Sequence, residues 1–303
     1  MNAVAVHVGP TPLPPLVAAV EAAGATVSDD PAGADVVVWR GSDHRRLGQV
    51  LEQGPQVRWV QLGAAGTDAW APTGMFDDGR MWTSAKGAYS EAVAEHALAL
   101  TFALTRGLAR YARATTWTGA QGRNLYGSTV LLLGARGGIG REFIRLVEPF
   151  KARILAAGRG GVTDMSTGKP MVREAAIEQA DIVMVAAPLT PSTRGLISRE
   201  WLDLMAPTAI LVNVGRGAIV DTAALVEALQ EGRIGGAALD VTDPEPLPDG
   251  HPLWTLDNCL ITPHSANPLD MLMPQLVHRV TDNLIRFAEG RPLVGVVDPA
   301  KGY

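Results

Sequence analysis

The chain opens with short apolar runs separated by stretches whose apolar residues recur at helical spacing. Val4–Val8 is the first run. Leu16 to Ala23 has a helical pattern and closes at Gly24. Asp35-Val36-Val37-Val38-Trp39 and Val57-Arg58-Trp59-Val60-Gln61-Leu62 predict two more strands, the second followed by the small-residue loop Gly63-Ala64-Ala65-Gly66. Strands alternating with helices imply a parallel α/β sheet. A long helix is then expected from about Ser90 to Ala114, with Ser90 able to cap it and Glu91 in the first turn, where the helix dipole favours negative charge. Its small and leucine-rich face suits tight packing, so it can carry the chain from one domain to the next. Thr118 to Gly127 is polar and glycine-bearing, and predicts a loop.

Thr129-Val130-Leu131-Leu132-Leu133 is uniformly apolar and reads as a strand buried on both faces. A glycine-rich turn follows, then a helix from Gly140 to about Phe150. Ile154–Ala157, Ile182–Ala186, Ile210–Val214, Ala237–Val241 and Leu260–Thr262 predict further strands, with helical patterns between most of them. This repeated βα unit describes an open doubly wound sheet.

The turn, Gly134-Ala135-Arg136-Gly137-Gly138-Ile139-Gly140, has a physical purpose after a buried strand. Glycine lets the backbone turn tightly and approach a pyrophosphate, and the helix N-terminus presents free N–H groups to that anion. A lone glycine string is weak evidence; strand before and helix after make it strong. The strict G-x-G-x-x-G spacing would put glycine at 135, where alanine stands, so Gly134 takes the first role with one extra residue in the turn. Gly134, Gly137, Gly138, Ile139 and Gly140 are the candidate phosphate contacts. The competing reading is a plain strand–helix turn without ligand. The next strand runs into Gly158-Arg159-Gly160-Gly161, with no carboxylate to hold a ribose 2′-OH. Arg159 can pair with a 2′-phosphate through its fork, which favours NADP over NAD, against the alternative of a solvated arginine.

Composition limits the partners. The chain has 303 residues, 47% apolar and 19% charged, with a net charge of −5. That suits a soluble two-domain protein and argues against nucleic acid as the main partner. One cysteine, Cys259, excludes an intramolecular disulfide and suits a reducing compartment; it reads as a small core residue rather than a nucleophile. The N-terminus lacks a signal-peptide pattern. Ala92–Leu104 is interrupted by Glu95 and His96 and is shorter than the ~20 apolar residues a spanning helix needs. A cytoplasmic protein without membrane or metal is expected.

Three segments fall at predicted C-terminal strand ends, where open α/β sheets bind ligands. Asn213-Val214-Gly215-Arg216-Gly217 offers a carboxylate-binding fork, Asp240-Val241-Thr242-Asp243-Pro244-Glu245-Pro246 a carboxylate, and Thr262-Pro263-His264-Ser265-Ala266 an imidazole. A glutamate beside a histidine favours its protonated form and fixes its orientation. An isolated His264 would more simply cap a loop, and His96 reads as packed or interdomain rather than catalytic.

These segments resemble the D-isomer-specific 2-hydroxyacid dehydrogenases, particularly the glyoxylate/hydroxypyruvate reductases. The resemblance extends to Val93-Ala94-Glu95-His96-Ala97-Leu98-Ala99-Leu100, similar to the family's interdomain helix, to Pro188-Leu189-Thr190-Pro191-Ser192-Thr193, similar to its cofactor-side loop, and to His251-Pro252-Leu253-Trp254. It implies Arg216, Glu245 and His264 as the catalytic set. His264 is then the general acid toward the carbonyl oxygen of a 2-oxoacid, Glu245 its partner, and Arg216 the carboxylate ligand. It implies substrate-binding amides at Ala64, Ala65 and Gly66, just before Asp68. Gly158, Arg159, Pro188, Thr193, Val214, Asp240 and His264, with Arg216 and the glycine turn, are implied around the cofactor. The implied fold is two Rossmann-like doubly wound parallel-sheet domains with a cleft between them. Residues 1–91 and 268–303 would form a discontinuous substrate domain, and 92–267 the dinucleotide domain. Homodimers through the cofactor domain are common in that family. The longer glycine turn and the alanines Ala186 and Ala187 before Pro188, where many members carry a histidine nearby, depart from its usual form. Glu245 argues against the formate dehydrogenase branch, and the end at Tyr303 against the longer phosphoglycerate dehydrogenases. A dinucleotide-binding corepressor of the same fold is the alternative.

Overall fold

The computed structural model describes residues 3–298; Met1, Asn2 and the terminal stretch through Tyr303 lie outside it. The described chain forms two compact units. One contains the residues up to Tyr89 and those from Pro268 onward, the other Ser90–Asn267.

The first unit runs β1 (Ala5–Gly9), α1 (Pro14–Ala22), β2 (Thr26–Val27), β3 (Val36–Trp39), α2 (His44–Gln53), β4 (Trp59–Leu62) and β5 (Met81–Thr83). The second runs α3 (Ser90–Thr105), α4 (Leu108–Arg113), β6 (Thr129–Leu133), α5 (Gly138–Val147), β7 (Arg153–Gly158), β8 (Gly161–Asp164), β9 (Pro170–Met171), α6 (Arg173–Glu178), β10 (Ile182–Val185), α7 (Arg199–Leu204), β11 (Ile210–Asn213), α8 (Thr222–Gln230), β12 (Gly236–Leu239) and β13 (Cys259–Ile261). The chain then returns to the first unit through α9 (Leu269–Ala288).

The first sheet has five strands in the order β2-β1-β3-β4-β5, all parallel. Trp39, Val60, Leu62, Leu47 and Leu51 fill a core beneath it. Its polar exception is a satisfied network. Buried Asn283 of α9 donates to Gln61 Oε1 at 2.9 Å and to the Val294 carbonyl at 2.9 Å, and Thr83 Oγ1 donates to the same Gln61 oxygen at 2.8 Å. Buried amides cost free energy unless paired, so the network locks α9 to β4 in one register.

The second sheet follows β13-β12-β11-β10-β6-β7-β8-β9. Its order reverses between β6 and β10, the switch point of a doubly wound sheet. The uniformly apolar strands are explained by two covered faces. Leu131, Leu133, Val183, Val185 and Leu211 pack with Ile177, Trp201, Leu202 and Leu225. Val130, Leu132, Ile182, Met184 and Val212 pack on the other face with Ala97, Leu100, Phe143 and Val147.

One expectation about elements is corrected, and one hairpin is added to the expected strands. The helix read as continuous from Ser90 to Ala114 breaks into α3 and α4 at Gly107, whose φ of 64° is left-handed. Thr101 and Thr105 loosen the preceding turns by donating to the Ala97 and Thr101 carbonyls, each at 2.8 Å. After β7 the chain makes an antiparallel hairpin with β8, then with β9. These strands are too short and polar to read as strands by alternation. No helix among the described residues is long and apolar enough to cross a membrane.

Candidate active site

The candidate residues of the second unit lie at or beyond the ends of β6, β7, β10, β11, β12 and β13. The glycine turn resolves its irregular spacing here. Gly134 has φ of 89°, and a Cβ on it would sit 2.5 Å from the Ala186 carbonyl oxygen at the end of β10. A Cβ on Gly140 would lie 2.4 Å from the Gly134 carbonyl oxygen. Gly134 therefore allows the turn to press against β10, and Gly140 lets α5 approach the strand. Ala135 is tolerated because its methyl enters the core beside Phe143 and Val214. Gly137 is the N-cap of α5 and supplies no side-chain cap, which leaves the first-turn amides of Gly138, Ile139 and Gly140 without side-chain partners at that end. A turn shaped by glycine and an uncapped helix end fit a pyrophosphate.

Gly158 ends β7, and exposed Arg159 lies with Gly160 at the tip of the hairpin to β8. Exposed Pro188 follows β10. Thr193 folds the loop back on it, donating to the Pro188 carbonyl at 2.8 Å and accepting from the Thr190 amide at 2.8 Å. Val214 is buried after β11.

Arg216 sits half-buried on a loop braced from inside. Fully buried Asn213 donates from Nδ2 to the Arg216 carbonyl at 3.0 Å and accepts from the Gly215 amide at 3.0 Å. The guanidinium donates to the Gly215 carbonyl at 2.8 Å. A Cβ on Gly217 would fall 1.9 Å from the Thr242 carbonyl oxygen, so the arginine loop lies directly on the segment leading to Glu245.

Glu245 and His264, distant in sequence, meet at 2.7 Å between Oε1 and Nδ1. A carboxylate only accepts, so Nδ1 carries the hydrogen and Nε2 is the ring nitrogen left for proton transfer. His264 has φ of 50°, and its amide donates to the Asp240 carbonyl at 2.8 Å. Asp240 is buried. Its carboxyl stays below the usual carboxylate range because hydrogen bonds from His96, Thr262 and the Ser265 amide outweigh an opposing desolvation. The network of Asn213, Thr262 and His96 around these groups was not legible as a site from sequence; its members lie on separate elements.

In the first unit, Ala64, Ala65 and Gly66 follow β4. The Gly63 carbonyl accepts from Tyr89 Oη at 2.7 Å, and the Ala64 carbonyl from the Ala85 amide at 2.9 Å. With these carbonyls tied inward, the loop is held in one shape. Burial pushes the Tyr89 hydroxyl up to about 12, against the nearby Arg40 and Arg279. Cys259 is buried and its thiol is pushed up to about 12 by desolvation, which fits a core residue.

Comparison with known proteins bears directly on this geometry. Residues 98–266 match the model of the D-isomer specific 2-hydroxyacid dehydrogenase NAD binding domain. The chain belongs to the D-isomer-specific 2-hydroxyacid dehydrogenase family. It is 35% identical over 257 residues to a glyoxylate reductase of Aeropyrum pernix, covering 80% of this chain and 76% of that one. It is 31% identical over 258 residues to a glycerate dehydrogenase of Methylorubrum extorquens, covering 80% and 79%. Among solved structures it resembles a D-isomer specific 2-hydroxyacid dehydrogenase from Xanthobacter autotrophicus Py2, in complex with NADPH and MES, with TM-score 0.82, 26% identity and full coverage of both chains. The family is one of nicotinamide-dependent oxidoreductases that act on 2-oxoacids and 2-hydroxyacids, and the corepressor alternative is not favoured.

Proposed function

We propose that the chain is an NADP-preferring reductase of small 2-oxoacids of the glyoxylate and hydroxypyruvate class, with Arg216, Glu245 and His264 as its catalytic set. The observation that carries this reading is the His264–Glu245 pair at 2.7 Å on the loops that also pack against the Arg216 segment. Glu245 accepts from Nδ1–H and fixes the ring's orientation, which leaves Nε2 to deliver a proton to the carbonyl oxygen during reduction. The Arg216 fork binds the substrate carboxylate and steadies the growing charge on the carbonyl oxygen. Amides of Ala64, Ala65 and Gly66 are assigned to substrate binding. The nicotinamide, when bound, supplies the hydride. Gly134, Gly137, Gly138, Ile139 and Gly140 would hold the cofactor's pyrophosphate, and Pro188, Thr193, Val214 and Asp240 would complete the cofactor site.

Gly158 and Arg159 support NADP: the hairpin tip presents an exposed arginine where a carboxylate would repel a 2′-phosphate. The Ser90–Asn267 unit is assigned to the dinucleotide, and the other unit to the substrate. A homodimer is proposed through the dinucleotide unit, where Trp117 is fully exposed and Leu108 and Tyr126 are also exposed. A reducing interior, and hence the cytoplasm, suits the single buried cysteine.

The test is oxidation of NADPH and of NADH with glyoxylate, hydroxypyruvate and pyruvate. The reading expects turnover with at least one of these and a higher kcat/KM with NADPH. Tight cofactor binding without turnover of any 2-oxoacid would contradict it.

A further inference from the structure

The helix that opens the dinucleotide unit carries a histidine that the proposed reaction does not use. His96 of α3 places Nε2 3.0 Å from Thr262 Oγ1 and 3.3 Å from Asp240 Oδ1. Thr262 Oγ1 donates to that same carboxylate oxygen at 2.7 Å. A hydroxyl has one hydrogen, and here the carboxylate takes it, so the oxygen accepts from His96 and Nε2 must carry a hydrogen. The imidazole is thus a donor into a nearly closed pocket, with Asp240 only 1% exposed in its side chain.

The same Asp240 carboxylate also holds the catalytic loop. Its Oδ1 accepts from the Ser265 amide at 2.8 Å and its Oδ2 from the Ala266 amide at 3.2 Å. Its backbone carbonyl accepts from the His264 amide at 2.8 Å. His264 therefore lies in a turn whose next two amides are held by one buried carboxylate. The turn needs holding: among the described residues only Lys151 and His264 are non-glycine residues with positive φ. A left-handed residue with a Cβ is intrinsically unfavourable and persists where its surroundings enforce it.

We infer that His96 is a positioning residue: through Thr262 and Asp240 it clamps the left-handed turn that aims His264. This rests on the assignment of His264 as the acid–base group. Among the described residues His96 makes no hydrogen bond to His264 or Glu245; its influence passes through the Asp240 carboxylate. Without the donor, Asp240 keeps its negative charge in a buried place with fewer hydrogen bonds. It then turns toward other donors, and the Ser265 and Ala266 amides lose their fixed acceptor.

The test compares His96→Leu, His96→Gln and Thr262→Val with the wild type in the full chain. Glutamine Nε2 can reproduce the donor; leucine cannot. Two readouts are taken. Hydrogen exchange of residues 262–267 in the cofactor-free protein requires no turnover, and in His96→Leu it should speed by about tenfold, with glutamine restoring protection. In reduction of the best 2-oxoacid, kcat should fall by about tenfold in His96→Leu and Thr262→Val, while the Kd for the preferred cofactor stays within about threefold and His96→Gln recovers most of the loss. Unchanged exchange in His96→Leu overturns the clamp. Faster exchange with wild-type kcat overturns its role in aiming His264, as does a glutamine variant that folds but recovers nothing. If the wild type turns over no 2-oxoacid, the functional reading fails, and the exchange experiment still decides whether His96 holds the turn.

Discussion

Gly217→Ala isolates the contact between the two catalytic loops. The added methyl would lie 1.9 Å from the Thr242 carbonyl oxygen and 2.0 Å from its carbon, where ordinary contact begins near 3.4 Å. The difference, 3.4 − 1.9, requires about 1.5 Å of separation between two backbone segments, neither of which ends in a flexible side chain there. Arg216 is the neighbour of the altered residue, and Glu245 follows the segment that must move. A displacement of about 1 Å in a catalytic group costs on the order of 10²-fold in rate. Gly217→Ala should therefore lower kcat/KM for 2-oxoacid reduction by about 10²-fold, the cost of that misplacement. The Gly134–Gly140 turn lies on β6 and presses on β10, so the cofactor Kd should change by less than about threefold, well under 1 kcal/mol. The assay is steady-state oxidation of reduced cofactor across substrate concentrations, with cofactor affinity from quenching of intrinsic fluorescence and folding from a thermal melt. A folded Gly217→Ala protein with kcat/KM within about threefold of wild type would refute the claim that this close approach sets the relation of Arg216 to Glu245.

Three further outcomes are expected. Arg159→Asp should reverse or erase the preference for NADPH over NADH in kcat/KM; an unchanged ratio would remove Arg159 from recognition of the 2′-phosphate. Asn283→Leu should lower stability by about 3 kcal/mol in chemical denaturation, because it strips a donor from Gln61 and leaves the Val294 amide and carbonyl without their partner. A loss below about 0.5 kcal/mol would show the network to be dispensable. Asp164, hydrogen-bonded by Ser166 and Arg153, is held at about 2 rather than the ordinary 3.8. A lowered carboxyl contributes stability that is present above the unfolded value and lost as pH falls through the folded one. Asp164→Asn should thus flatten the decline in stability between about pH 4 and pH 2 while lowering stability at neutral pH; an identical acid profile would contradict this.

Much of the scaffold was readable because burial on two faces leaves an unmistakable mark. Residues 130–133, 182–185, 210–212 and 237–239 are apolar, and each lies in a parallel strand of the second sheet. The chemistry at their ends was readable as residue types at strand termini, Arg216, Glu245 and His264. Their mutual arrangement was not. Nothing in the spacing says that Gly217, having no Cβ, lets one loop lie against another, or that Asn213 braces the arginine from beneath. His96 is the clearest case. On α3 it is one polar residue in an alanine- and leucine-rich helix, and packing of α3 against β11 and β12 is what delivers it to Thr262 and Asp240. The glycine turn was readable as a turn but not in its details, since alanine stands at 135 and the extra residue leaves the spacing irregular. The close approach of Gly134 to Ala186 and of Gly140 to Gly134 separates the roles. The break at Gly107 and the β8–β9 hairpin were hidden for another reason: a glycine within a helical pattern is often tolerated, and a strand as short as Pro170–Met171 has no period to detect.

The account stands on proton delivery from His264 to a 2-oxoacid carbonyl. Its most direct test is the rate of 2-oxoacid reduction by His264→Gln under saturating reduced cofactor, alongside cofactor affinity. Glutamine keeps a polar side chain beside Glu245 and removes the titrating imidazole. The account predicts a fall in kcat of about 10²- to 10⁴-fold, the range of a lost general acid, with the cofactor Kd within about threefold of wild type. Turnover close to wild type in this variant would contradict it.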